Sequence, residues 1–151
     1  MDACERRVSE VMQSQMVTLK PDERLDLADD IMHLGRVRHM PVVEEGRLIG
    51  IVSNRDLLAA SLTKFLNFDP KQRRAFLHSV EAGEAMTRDV ITVEPSATLR
   101  EAAQLMIRHK VGCLPVVKPD GILVGLVTET DLLRATLLEE REERSVDAEE
   151  P

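Results

Sequence analysis

The sequence predicts an α+β fold in which one βαββα unit is used twice. Three observations carry this expectation. Residues 8–43 laid on 82–117, an offset of 74, give 11 identities in 36 positions, including Met12/Met86, Pro21/Pro95, Leu25/Leu99, Ala28/Ala102, Met32/Met106 and Pro41-Val42-Val43/Pro115-Val116-Val117. One inserted residue then shifts the offset to 75, and Gly50–Leu58 lies on Gly125–Leu133. Most matched residues are apolar or turn formers, so the repetition reports one architecture. The third observation is that β-branched runs alternate with helical apolar spacing in the same order in both copies.

Each element follows from local chemistry. Met16–Leu19 and Val90–Val93 read as first strands. A proline, Pro21 or Pro95, leads into a helix. Its inward face is Leu25, Ala28, Ile31 and Met32 in copy one and Leu99, Ala102, Ala103 and Met106 in copy two. Thr98 with Glu101 forms a capping box at the start of the second of these helices. The helices are expected to end near Gly35 and His109. Strands follow at Met40–Val43 and Leu114–Val117. Turns at Glu44-Glu45-Gly46 and Lys118-Pro119-Asp120-Gly121 lead to strands Leu48–Ser53 and Ile122–Thr128. Asp56 and Asp131 open the closing helices. A unit of roughly 50 residues buries too little to stand alone. The two are therefore expected to pack as a pseudo-two-fold pair. The boundaries are a tail at 1–7, repeats at 8–60 and 80–138, a linker at 61–79 and an acidic tail at 139–151. The linker holds Phe65, Phe68 and Phe76 and the basic run Lys71–Arg74, and should be partly helical with a break at Asp69-Pro70. Its phenylalanines either cap a core helix or form a contact surface for a second subunit.

Composition narrows the function classes. The net charge is −7, and Glu139–Pro151 alone carries −5, seven acids against two arginines. A near-neutral body with three Phe and no Tyr or Trp is neither a phosphate-neutralising nor a base-stacking surface, which argues against nucleic acid as a partner. No run approaches ~18 apolar residues, so no membrane span is expected. The first residues lack the apolar stretch of a signal peptide, and together these features predict a cytoplasmic protein. Cys4 and Cys113 form no CxxC pair. His33, His39, His78 and His109 show no ligand spacing, so no metal site is expected. No glycine-rich phosphate loop is present, since Gly50 and Gly125 stand singly. The acidic tail should extend a helix and then fray.

The motif Ser53-Asn54-Arg55-Asp56 and its twin Thr128-Glu129-Thr130-Asp131 allow two readings. As a cap, the hydroxyl accepts from a first-turn N–H and the carboxylate favours the positive helix end. As a ligand site, the hydroxyl adds a donor and a carboxylate one turn in accepts from the two hydroxyls of a ribose. Such charge-assisted bonds contribute roughly 1.5–3 kcal/mol. Glu is the commoner capping-box partner, so Asp in both copies leans toward the second reading.

The βαββα copies, the Met-Thr-Arg-Asp-Val-Ile-Thr-Val start, the Pro-Val-Val strand and the Gly-apolar-Val-Ser/Thr-x-x-Asp-Leu-Leu ending resemble cystathionine-β-synthase-type (CBS) domains. Two in tandem resemble a stand-alone CBS pair, or Bateman module, over residues 8–138. The resemblance implies a non-catalytic regulatory, energy-sensing module. No cofactor is required; an adenosine-type nucleotide (AMP, ADP, ATP or S-adenosylmethionine) is the ligand, held in clefts between the copies. It also implies a homodimer of pairs and a regulated partner protein. The rival reading is a structural homodimeric interaction protein with empty clefts. By the family pattern Asp56 and Asp131 hold ribose, and Ser53 and Thr128 lie near ribose or phosphate. Arg38 and His39 match a basic position facing the phosphates, where the second copy has Gly112 and Cys113. The resemblance assigns the base pocket of the Asp56 cleft to Val90, Ile91 and Val111. That of the Asp131 cleft falls to Met16, Val17 and Val37.

Overall fold

The computed structural model describes residues 2–62 and 69–138. The chain divides into two compact units. One is Met16–Val90; the other combines Met1–Gln15 with Ile91–Pro151. The packing units therefore do not follow the repeat boundaries drawn on the sequence. The segment opening each sequence repeat is built into the unit that carries the other repeat's hairpin.

The chain starts with a 3-10 turn, Ala3–Glu5, and helix α1 (Val8–Val11). Next come helix α2 (Leu25–Gly35), strands β1 (His39–Glu44) and β2 (Arg47–Ser53), and helix α3 (Asn54–Leu62). Helices α4 (Pro70–His78) and α5 (Ala82–Ala85) connect to the second series. That series is α6 (Leu99–His109), β3 (Cys113–Val117), β4 (Leu123–Thr128) and α7 (Glu129–Leu133), extended by a π-helical turn over Arg134–Leu138.

Local signals act as expected at most boundaries. The Thr98–Glu101 capping box forms, with the Glu101 N–H donating to Thr98 Oγ1 at 3.1 Å. Helices α2 and α6 stop at residues in the left-handed region, Arg36 (φ 54°) and Lys110 (φ 55°). The first hairpin turns through Glu45 (φ 52°) and Gly46 (φ 79°), two consecutive positive φ values that match the right-handed twist of the strands. Asp69 caps α4 by accepting from the Gln72 N–H at 2.8 Å, and Pro70 occupies the first turn, where its missing N–H costs nothing.

One expectation is corrected. Met16–Leu19 and Val90–Val93 are not strands; each adds a single parallel bridge, Leu19 to Val42 and Val93 to Val116. The reason is proline. Leu19 N–H donates to the Pro41 carbonyl and Val43 N–H to the Leu19 carbonyl, both at 2.8 Å. Continuing that ladder toward Val17 would require an N–H from Pro41, and continuing it past Leu19 would require one from Pro21. Neither exists. Pro115 and Pro95 cut the second ladder in the same way. A smaller correction concerns the closing helices, which start at Asn54 and Glu129 and place Asp56 and Asp131 third.

In the Met16–Val90 unit, Leu19, Leu25, Ala28, Met32, Met40, Val42, Val52, Leu57 and Leu77 form the core together with Ala82 and Met86. The other unit buries Val8 with Val93, Leu99, Ala102, Met106, Leu114, Val116, Val127, Leu132 and Ala135. Helix α4 is clamped on α2 by the bidentate pairs Arg73–Asp29 (2.7 and 3.0 Å) and Arg74–Asp30 (2.8 and 3.0 Å) and by His78–Asp26 at 2.8 Å. Phe76 packs partly buried against the first core. Phe65 and Phe68 lie outside the described residues, as does the acidic tail at 139–151.

The exchanged segments are fixed by paired backbone bonds. Thr87 and Ile51 exchange two (2.9 and 3.0 Å), and so do Gln13 and Leu126 (2.8 and 3.0 Å). Close approach needs a missing side chain. A Cβ on Gly50 would lie 2.5 Å from Met86 Sδ and 2.9 Å from the Thr87 carbonyl oxygen; on Gly125, 2.7 Å from Met12 Sδ and 3.0 Å from the Gln13 carbonyl oxygen. The methionine can move but the carbonyl cannot without losing its bridge. Gly50→Ala and Gly125→Ala should each lower stability by about 1–3 kcal/mol, the usual cost of overpacking. Urea unfolding measures this, and a midpoint equal to wild type for both variants would contradict the close-approach account.

Candidate functional site

The two Ser/Thr-x-x-Asp motifs form the same hydrogen-bonded box. Ser53 N–H and the Ser53 hydroxyl both donate to Asp56 Oδ2, at 2.8 and 2.9 Å, and the Asp56 N–H donates to Ser53 Oγ at 3.1 Å. In the second copy Thr128 N–H and hydroxyl donate to Asp131 Oδ2 at 2.9 and 3.0 Å, and Asp131 N–H donates to Thr128 Oγ1 at 3.3 Å. The capping reading is therefore realised in both copies. It occupies one carboxylate oxygen, Oδ2. The other, Oδ1, faces the exchanged segment. Asp56 Oδ1 lies 3.4 Å from the Thr87 hydroxyl, and Asp131 Oδ1 lies 3.3 Å from Gln13 Nε2. A carboxylate has lone pairs for more than one donor per oxygen, so the box does not exhaust its accepting capacity.

Thr87 and Gln13 were not singled out on the sequence. The repeat offset does equate them, and each follows an aligned methionine. Nothing local shows that Thr87 bonds to Ile51 or Gln13 to Leu126, and those bonds bring them to the carboxylates.

The surroundings differ between copies. His39 is paired with Ser53 across the β1–β2 ladder, and the Arg38 carbonyl accepts from the Asn54 N–H at 2.9 Å. Arg38 and His39 thus border the Asp56 box. Cys113 is paired with Thr128, and the Gly112 carbonyl accepts from the Glu129 N–H at 3.0 Å. Where Arg38 carries a cation, Gly112 carries no side chain, and a Cβ there would lie 3.3 Å from the Glu129 carboxyl carbon. The Asp56 box is thus bordered by Arg38 and His39, and the Asp131 box by Gly112, Cys113 and Glu129. Burial pushes the Cys113 thiol up to about 12, with the Asp131 charge adding to it, so it remains protonated. Burial also holds the His39 imidazole below its ordinary value; the Asp56 carboxylate opposes this, and Arg38 adds to it.

The apolar residues assigned to the base are placed as follows. Val37 packs against the first core, and Ile91 and Val111 against the second. Met16 and Val90 are half-buried, and Val17 is exposed. Among the described residues no cluster of potential metal ligands occurs, and no helix is long and apolar enough to cross a membrane.

A model of the CBS domain matches the chain twice, at residues 8–63 and 82–138, and the chain belongs to this family. A CBS domain-containing protein of Dictyostelium discoideum is 34% identical over 127 residues, covering 83% of this chain and 88% of that protein. Longer relatives are matched over a fraction of their length: the inosine-5'-monophosphate dehydrogenase of Aquifex aeolicus is 37% identical over 120 residues, only 22% of that enzyme. Among solved structures, CBSX2 in complex with AMP is 29% identical with a TM-score of 0.74, covering 89% of this chain and 98% of that one. The CBS domain pair of protein MJ0100, in complex with 5'-methylthioadenosine and S-adenosyl-L-methionine, is 25% identical with a TM-score of 0.69, covering 85% and 94%.

The lowered His39 value has a defined consequence for stability. The folded state binds that proton more weakly than the unfolded chain. The stabilisation is complete above the unfolded value of about 6.5 and is lost as pH falls from there through the folded value. Urea unfolding at pH 8 and pH 5 should show wild type losing more stability on acidification than His39→Asn. Identical losses would remove the assignment.

Proposed function

We propose that the chain is a non-catalytic regulatory module that binds adenosine-type nucleotides, with Asp56 and Asp131 accepting from ribose hydroxyls. The observation that carries this is the geometry of the two carboxylates. Each is fixed by its own box through Oδ2, and Oδ1 carries a long side-chain contact, from Thr87 at 3.4 Å or from Gln13 at 3.3 Å. A pre-oriented acceptor of this kind loses little freedom on meeting a diol. The AMP, 5'-methylthioadenosine and S-adenosyl-L-methionine complexes of related pairs support the ligand class. Arg38 and His39 belong to the proposal as phosphate neighbours of Asp56, with Ser53 and Thr128 as supports. Val90, Ile91, Val111, Met16, Val17 and Val37 belong to it as base contacts. The more highly charged ligand belongs to Asp56, because Gly112 and Glu129 offer no cation at Asp131.

The rival reading, a structural interaction protein, is favoured by the completed capping boxes, which account for both aspartates without a ligand. The two separate in one set of measurements. The protein has no Tyr or Trp, so a retained nucleotide would dominate its ultraviolet absorbance near 260 nm. In a thermal-shift panel of AMP, ADP, ATP, adenosine, 5'-methylthioadenosine and S-adenosylmethionine, a ligand at ~100 times its Kd adds about 2.7 kcal/mol, roughly 5–10 °C here. Asp56→Asn and Asp131→Asn should keep the cap but weaken binding, and Arg38→Ala should weaken ATP more than adenosine. A melting curve unmoved by the whole panel leaves the structural reading.

Self-association belongs to the same proposal. Leu34 and Ile107 are 88% and 78% exposed, and Leu58 and Leu133, equivalent across the repeat, are 56% and 57% exposed. Large aliphatic side chains left in water, one pair of them at equivalent places in the two copies, favour a second copy as their cover. Light scattering after size exclusion should give twice the 17.0 kDa chain mass. Monomer mass at micromolar concentration would count against it.

A further inference from the structure

We propose that Gln13 is an internal competitor for Asp131, so that the two aspartates are unequal and the Asp56 site fills first. This rests on the ribose reading above and concerns which site it applies to. Gln13 and Thr87 occupy equivalent places: each follows an aligned methionine, and each pairs its own backbone with the hairpin, at Leu126 and Ile51. Only their side chains differ. The Thr87 hydroxyl reaches one oxygen of Asp56 at 3.4 Å, a marginal contact. Asp56 itself is only partly buried. The Gln13 amide, on a longer stem, also makes only long contacts, but it spans both oxygens of Asp131, at 3.3 Å from Oδ1 and 3.5 Å from Oδ2. Asp131 is 7% exposed, the one buried charged residue among those described. An amide N–H donating to a shielded carboxylate occupies the place a ribose hydroxyl would take. A ligand must displace it at Asp131 but has little to displace at Asp56.

The backbone makes both bridges, so the side chains can be exchanged without removing them. Isothermal titration with AMP, and in parallel with S-adenosylmethionine, reads the order of filling. Wild type should bind at Asp56 at least about tenfold more tightly than at Asp131, the scale of one hydrogen bond to a charged group. Asp56→Asn should remove the tighter step. Gln13→Thr should strengthen the weaker step by about the same factor, or reveal it. The exchanged pair, Gln13→Thr with Thr87→Gln, should reverse the order, so that Asp131→Asn now removes the tighter step. Melting temperatures near wild type for the exchanged protein show that the fold persists. Equal steps in wild type, or a weaker step unmoved by Gln13→Thr, overturn the competitor while leaving the ribose reading intact. No heat from either ligand in any variant overturns the ribose reading, and the competitor falls with it.

Discussion

The structure depends on two reciprocal backbone bridges, Gln13 with Leu126 and Thr87 with Ile51, each made over a glycine. The hairpins are only two-stranded, and such ribbons are marginal in water. One edge of each is extended by a single parallel bridge that prolines prevent from growing. The other edge is covered by the exchanged segment. That segment also delivers buried side chains: Ala82 and Met86 to one core and Val8 to the other. Without the bridges the outer edge of β2 or β4 would stand open and the core would lose part of its wall.

The same bridges set the chemistry at the aspartates. A capping box is a local device, complete within four residues. It fixes each carboxylate in one orientation and uses Oδ2. What Oδ1 meets is decided by a residue 31 positions away for Asp56 and 118 positions away for Asp131. A local motif and a long-range contact thus share one carboxylate. At Ser53–Asp56 and Thr128–Asp131 the capping box uses Oδ2 and leaves Oδ1 outside it, so the cap and the proposed ribose contact do not compete for the same oxygen.

Repetition made the fold legible. The inward residues of α2 and α6, their ends at Gly35 and His109, the Glu45-Gly46 turn and the Thr98 cap are all set by interactions within a few residues, which spacing alone reports. The strands predicted at Met16–Leu19 and Val90–Val93 do not form, for an equally physical reason. Their β-branched composition suits a pleated surface, but propensity does not register that the neighbouring strand has a proline where it must donate. The steric role of the glycines at 50 and 125 lies outside their local sequence, because the methionine and carbonyl that stand against each come from a distant segment.

The sequence by itself determined the repeated unit, the element order and the twin Ser/Thr-x-x-Asp boxes, because helical periodicity, turn chemistry and caps are short-range and are written in adjacent residues. Tertiary structure alone decided which hairpin each opening segment joins. The two candidates, Ile51 and Leu126, are alike in character, and backbone hydrogen bonds carry no side-chain identity to tell them apart. That choice placed an amide over Asp131 and a hydroxyl beside Asp56, and so made two nearly identical motifs into different sites.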